Sequence, residues 1–200
     1  PEQDMIVTEV PVALVYNGIS HAVMMATPAD LEDFALGFSL TEGVLKRREE
    51  LLDLEIVERE HGIEIVLTIT AESFAVLKGR RRALVGRTGC GICGVESLQQ
   101  AIPSAARVSS DVRLLHRALQ AGAVALSQRQ SLKRLTGGVH GAAWCNAHGA
   151  IELLREDVGR HNALDKLLGA LQVTVHSTDG FALVTSRASY EMVAKAASCN

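Results

Sequence analysis

The sequence predicts an α/β protein of the layered α+β kind. Short β-rich apolar runs alternate with stretches whose apolar residues recur every three to four positions. Turn signals separate them, at Asn17-Gly18, at His61-Gly62 and in two glycine-rich stretches. The 200 residues, 48% hydrophobic and 22% charged, suffice for one good core and are too few for two large ones. A net charge of −3 gives no general pull towards nucleic acid, and aromatics at 4% offer no stacking platform for single strands. No apolar run approaches the roughly 18 residues of a membrane span, and the opening P-E-Q-D-M-I is no signal peptide. Four scattered cysteines read as reduced thiols in the cytoplasm. We therefore expect a cytoplasmic protein with no nucleic-acid or membrane partner.

Val10–Tyr16 and His21–Met25 flank Asn17-Gly18 as a predicted hairpin. Thr27-Pro28 supplies an N-cap and first-turn proline for a helix Pro28–Thr41, with Leu31, Phe34, Ala35 and Phe38 on one face and Gly43 closing it. Leu51–Glu58 and Ile63–Thr70 form a second strand pair, and the density of apolar residues from Ile63 to Ile69 predicts a largely buried strand. Short helices are expected at Ala71–Lys78 and Val95–Ile102. A longer one, Asp111–Leu126, would be capped by Ser109 or Ser110 and pack through Val112, Leu115, Leu119 and Ala123. The polar stretch Ser127–Arg134 would join a first lobe, residues 1–126, to a second, residues 127–200, unless the chain is one domain. In the second lobe we expect a glycine-rich turn over Leu135–Cys145 and a strand Ile151–Leu154. After these come a helix with the stripe Leu164, Leu167, Leu168 and Leu171, a strand Phe181–Thr185, and a helix starting near Ser189.

The chemistry is expected at Gly86–Gly94, G-R-T-G-C-G-I-C-G. Four glycines in nine residues make this a loop, with Cys90 and Cys93 among small neighbours. Arg80–Arg82 and Arg87 supply positive charge, and the predicted helix at Val95 puts its N-terminal partial charge near Cys93. Both favour the thiolate, the nucleophilic form. The same pair could be half of a structural zinc knuckle or two thiols without a role. In the second lobe His140 follows Gly137-Gly138, and either a structural or a binding role suits it. Asp157, His161 and Asp165 are spaced to share one helical face, and the alternative is a solvated helix start capped by Asp157.

Six blocks carry a family resemblance along nearly the whole chain. They are E-V-P-V-A-L-V-Y-N-G-I from Glu9, F-A-L-G-F-S-L-T-E-G from Phe34, and R-R-R-A-L-V-G-R-T-G-C-G-I-C-G from Arg80. T-G-G-V-H-G-A-A-W from Thr136, E-D-V-G-R-H-N-A-L-D-K-L-L-G from Glu156, and S-R-A-S-Y-E-M-V from Ser186 complete the set. Together they resemble the FdhD family, accessory sulfurtransferases needed for active formate dehydrogenase. The resemblance implies sulfur accepted from an IscS-type cysteine desulfurase as a persulfide on Cys90, with Cys93 as the second cysteine. The sulfur would pass to the molybdenum cofactor, bis-molybdopterin guanine dinucleotide, destined for apo formate dehydrogenase.

It further implies a homodimer with a cytidine deaminase-like three-layer fold. Family members continue past the point matching Cys199, so terminal strands would be missing here. A phosphorylated substrate suits arginines and helix N-termini, which nominates Asp157, Arg160, His161 and Arg187, with His140 beside them and GDP as an analogue. No bound zinc is expected. Two rivals remain. A chaperone would bind the cofactor without a catalytic cysteine. A zinc deaminase-like hydrolase would need H-x-E with P-C-x-x-C, whereas Gly89 precedes Cys90 and Gly141-Ala142 follows His140.

Overall fold

The computed structural model describes residues 4–84 and 107–199, with the backbone alone over 80–84. The described chain is mixed α/β, with two sheets and six helices. Strands β1 (Val10–Tyr16) and β2 (Ile19–Ala26) form the expected hairpin, and Asn17 and Gly18 both have positive φ. That geometry matches the right-handed twist of the strands it joins. The Asn17 side chain also continues the sheet, donating to Ile69 O at 3.0 Å and accepting from Ile69 N at 2.8 Å. Strands β3 (Leu51–Arg59) and β4 (Gly62–Ile69) pair antiparallel, and β4 runs parallel to β1, giving the order β2-β1-β4-β3. Strand β4 is fully buried along one face only. Ile65, Leu67 and Ile69 point into the core, while Thr68 between them is exposed. Among the described residues only one face of this sheet is covered, so its residues alternate.

Helix α1 (Leu31–Thr41) covers that face, with Phe34, Ala35 and Phe38 against Val12, Leu14, Tyr16 and Leu67. It starts three residues later than expected, at a left-handed Asp30 with φ 53°. Thr27 does not cap it, because its groups are engaged with the second half of the chain, as described below. Helix α2 (Ala71–Leu84) follows, adding Leu77 to the same core.

The second sheet has the order β6-β5-β7, all antiparallel, from β5 (His140–Asn146), β6 (Ile151–Asp157) and β7 (Gly180–Val184). Most of the expected glycine-rich turn is thus strand β5. Helix α3 (His116–Arg129) lies on one face of this sheet and α5 (Arg160–Val173) on the other. Ser127–Arg134 is not a polar linker. It holds the end of α3 and most of α4 (Ser131–Thr136). Helix α3 also begins later than expected and turns a different face inward, burying Ala118, Gly122 and Leu126 and leaving Leu115 and Leu119 exposed. The reason is steric: a Cβ at Gly122 would lie only 3.2 Å from Cys145 Sγ, so this helix packs on the sheet through its small residues.

Helices α1 and α5 cross between the two sheets at two glycines. A Cβ on Gly37 would lie 1.8 Å from Asp165 O, and one on Gly169 would lie 1.9 Å from Asp33 O. The obstructing atoms are backbone and cannot swing aside, so the two backbones touch. Helix α5 is consequently enclosed by α1 and the second sheet and is buried from Asn162 to Ala170, polar residues included. Helix α6 (Tyr190–Ser198) packs Met192 beside it, and Ser189 is its N-cap residue, as expected.

Candidate functional site

The segment from Arg155 to Lys166 holds most of the polar residues nominated above, and the fold assigns each a place. Strand β6 ends at Asp157 and α5 begins at Arg160, so Asp157, His161 and Asp165 do not share a helical face. Asp157 and Lys166 are fully buried and paired, with Nζ 2.6 Å from Oδ2. Asp157 Oδ2 also accepts from Thr27 N at 3.0 Å, while Oδ1 accepts from Gly159 N at 2.8 Å and Asn162 Nδ2 at 3.0 Å. Lys166 Nζ donates to Thr27 O, Asn162 Nδ2 donates to Met25 O, and Val158 N donates to Thr27 Oγ1. The network clamps the β2–α1 connection to the β6–α5 connection. Every oxygen of Asp157 is used, and none faces solvent.

The neighbouring side chains are committed as well. Arg155 grips Asp33 of α1 through Nε at 2.8 Å and Nη2 at 2.7 Å. Glu156 accepts from Leu132 N at 2.9 Å and Lys133 N at 3.0 Å, fixing the start of α4. Asp165 accepts from Thr41 Oγ1 at 2.8 Å and pairs with Lys195 at 3.0 Å. Burial pushes the Asp165 carboxyl up to about 6, although Lys195 and Thr41 oppose the rise.

Arg160 and His161 remain. Arg160 makes no ion pair or hydrogen bond among the described residues, and its Nε is buried without a partner. A buried donor left unmade costs free energy, of order 1–3 kcal/mol, so this guanidinium is suited to an external acceptor. His161 has a single loose pairing, Nε2 to Glu191 Oε2 at 3.8 Å. The backbone amides of Arg160, His161 and Asn162 have no partner among the described residues, and the helix has no side-chain cap of its own. Free amides at a helix N-terminus favour anions.

His140 arrives at the same end, because β5 starts where β6 finishes and His140 pairs with Asp157 across the sheet. Burial holds its imidazole below the ordinary histidine range, and the charges of Lys133 and Arg160 add to this. Burial lowers His161 too, aided by Arg160 and Lys195. Both rings are therefore mainly neutral at neutral pH, amid positive charge. Strand β7 ends there as well. Thr185 N donates to Gly141 O, Gly141 N donates to Thr185 Oγ1, and Ser186-Arg187 follow directly. The exposed Arg187 makes no ion pair among the described residues. Cys90 and Cys93 lie outside the described residues. The unpartnered guanidinium, the free amides and two half-buried histidines fit a phosphate-bearing group.

The model of the FdhD/NarQ family matches residues 7–200. The chain belongs to the FdhD/NarQ family. The sulfur carrier protein FdhD of Cupriavidus necator is 59% identical over 195 residues, spanning 97% of this chain and 68% of that protein. The sulfur carrier protein FdhD of Variovorax paradoxus is 52% identical over 194 residues, 96% of this chain and 70% of that one. The crystal structure of a protein described as a formate dehydrogenase accessory protein, from Desulfotalea psychrophila, matches with a TM-score of 0.68 at 26% identity, covering 98% of this chain and 71% of that one. Sequence reasoning named these residues but not their division of labour. It missed Lys166, Thr27 and Glu156, which hold the site in place. The D-x-x-x-x-N and N-x-x-x-K spacings across Asp157, Asn162 and Lys166 were a visible trace of the clamp, but Thr27, 130 residues from Asp157, was not. Among the described residues no group of three or more His, Cys, Asp or Glu gathers as a metal-ligand set, and no helix is long and apolar enough to cross a membrane.

Proposed function

We propose that this chain is a sulfur carrier that loads Cys90 with sulfur from a cysteine desulfurase and delivers it to the molybdenum cofactor for formate dehydrogenase. Family membership over residues 7–200 carries the reading, with close relatives named as sulfur carrier proteins. In the loading step the Cys90 thiolate attacks the outer sulfur of the donor's cysteine persulfide. The donor's S–S bond breaks, its cysteine leaves as the thiolate, and Cys90 becomes the persulfide. Glycines on both sides of Cys90 suit a thiol that must meet two partners in turn, and the nearby arginines favour its ionised form. Cys93 is the second thiol of the pair.

The substrate's guanine nucleotide phosphates are proposed to sit at the start of α5, on the free amides, Arg160 and His161. His140 and Arg187 would flank them, and GDP would serve as the analogue. Asp157 is given the role of orienting this helix start rather than touching substrate. We further propose a cytoplasmic homodimer that hands the sulfurated cofactor to apo formate dehydrogenase.

The test is an intact mass after incubation with a desulfurase and cysteine. The chain should gain the mass of one sulfur atom, removable by reductant, and Cys90→Ala should not. A Cys90→Ala protein that still matures formate dehydrogenase at the wild-type level would overturn the relay and leave the chaperone reading in its place.

A further inference from the structure

A second opening lies on the α3 side of the second sheet. It is a cavity of about 490 Å³ between α3, α4 and β7, within the range of small-molecule sites. Leu126 and Leu183 give it an apolar wall, and the exposed Lys133 and Arg134 line it as well. Neither cation makes an ion pair among the described residues. Both ride on α4, whose start is fixed by the buried Glu156 carboxylate through the amides of Leu132 and Lys133. Gln130, 1% exposed, also lines the cavity. Its Nε2 donates to Glu156 Oε1 at 3.3 Å, which fixes the orientation of the amide. Its Oε1 accepts nothing among the described residues. The side chain packs where Gly141 lacks a Cβ, since a Cβ there would meet Nε2 at 2.5 Å. The cavity thus offers an apolar wall, a held carbonyl acceptor and two cations without an ion pair among the described residues.

We propose that this cavity binds a phosphorylated ligand with a planar ring, of nucleoside monophosphate size. The ring would lie against Leu126 and Leu183 and give an N–H to Gln130 Oε1, and the phosphate would meet Lys133 and Arg134. The site is separate from the start of α5. Leu183 turns to the α3 face of the sheet while Val184, one residue on, packs towards α5. The proposal does not depend on sulfur transfer, so a Cys90 that never loads would leave it standing.

The experiment is calorimetric titration of the chain with GMP and with inorganic phosphate. In an Arg160→Ala background, which removes the other site's cation, GMP should still bind at one site. Adding Lys133→Ala with Arg134→Ala, or blocking the cavity with Ala123→Phe, should weaken it by at least about tenfold. Lys133, Arg134 and Ala123 are all exposed, so these changes do not threaten the fold. Phosphate should bind at least about tenfold more weakly than GMP, because it cannot use the wall. In the wild-type chain the same cavity variants should remove one of two sites, which keeps the test valid if Arg160→Ala melts early. GMP binding that is lost with Arg160 alone, or unmoved by both cavity variants, or matched by phosphate, overturns the proposal.

Discussion

Replacing Lys166 with methionine tests whether the Asp157 network is a clamp or part of the binding surface. Methionine keeps the length of the side chain and removes its charge. Lys166 and Asp157 are both 0% exposed, so no water replaces the lost partner. Removing one member of a buried pair costs about 3–5 kcal/mol. Asp157 keeps three donors, from Thr27 N, Gly159 N and Asn162 Nδ2, which places the expected loss near the lower end. At about 2–4 °C per kcal/mol for a protein of this size, the melting temperature should fall by roughly 6–20 °C. The assay is urea and thermal unfolding followed by circular dichroism, on the single variants and on Asp157→Asn with Lys166→Met. The double variant buries no charge and should recover part of the loss, giving a coupling of about 1–3 kcal/mol. A Lys166→Met protein within about 0.5 kcal/mol of wild type, or a double variant no better than the sum of the singles, would refute the clamp.

Three further outcomes are expected. Burial lifts Asp165 from an ordinary 3.8 to about 6, so the folded state holds a proton that the unfolded chain releases. That contribution is fully present below about pH 3.8 and lost as pH rises through about 6. Asp165→Asn should flatten the change, on the order of 2–3 kcal/mol, in unfolding measured from pH 4 to 7, and an unaltered pH profile would refute it. Gly169→Ala forces a Cβ to within 1.9 Å of Asp33 O and should cost at least about 1–3 kcal/mol in urea unfolding, whereas wild-type stability would mean that α1 and α5 part easily. Arg160→Ala or Arg187→Ala should weaken GDP binding by about tenfold or more in calorimetry. Wild-type affinity should rise as pH falls and His140 and His161, both held low, take up protons; GDP binding indifferent to all three changes would place the nucleotide elsewhere.

The alternating strands, the Asn17-Gly18 hairpin, the amphipathic face of α1 and the blocks that carry the family resemblance were all legible in the sequence. Each depends on residues close together along the chain, where steric and periodic rules act directly. The C-x-x-C motif was legible as composition alone, and its loop reading lies outside the described residues. The sequence did not reveal which face of α3 is buried. Periodicity favoured the larger residues, but the space above Cys145 admits only small ones, and that space is set by another element. The roles within Arg155–Lys166 were hidden for a related reason. A carboxylate reads the same in sequence whether it meets a ligand, Thr27 or Lys195. Only the crossing of α1 and α5 at Gly37 and Gly169 brings these partners within hydrogen-bonding distance. By consuming Asp157, Asp165 and Lys166 in the core, the tertiary structure left Arg160 as a cation with a buried Nε and no partner among the described residues. That selection is a matter of distance across the fold, which no local pattern encodes.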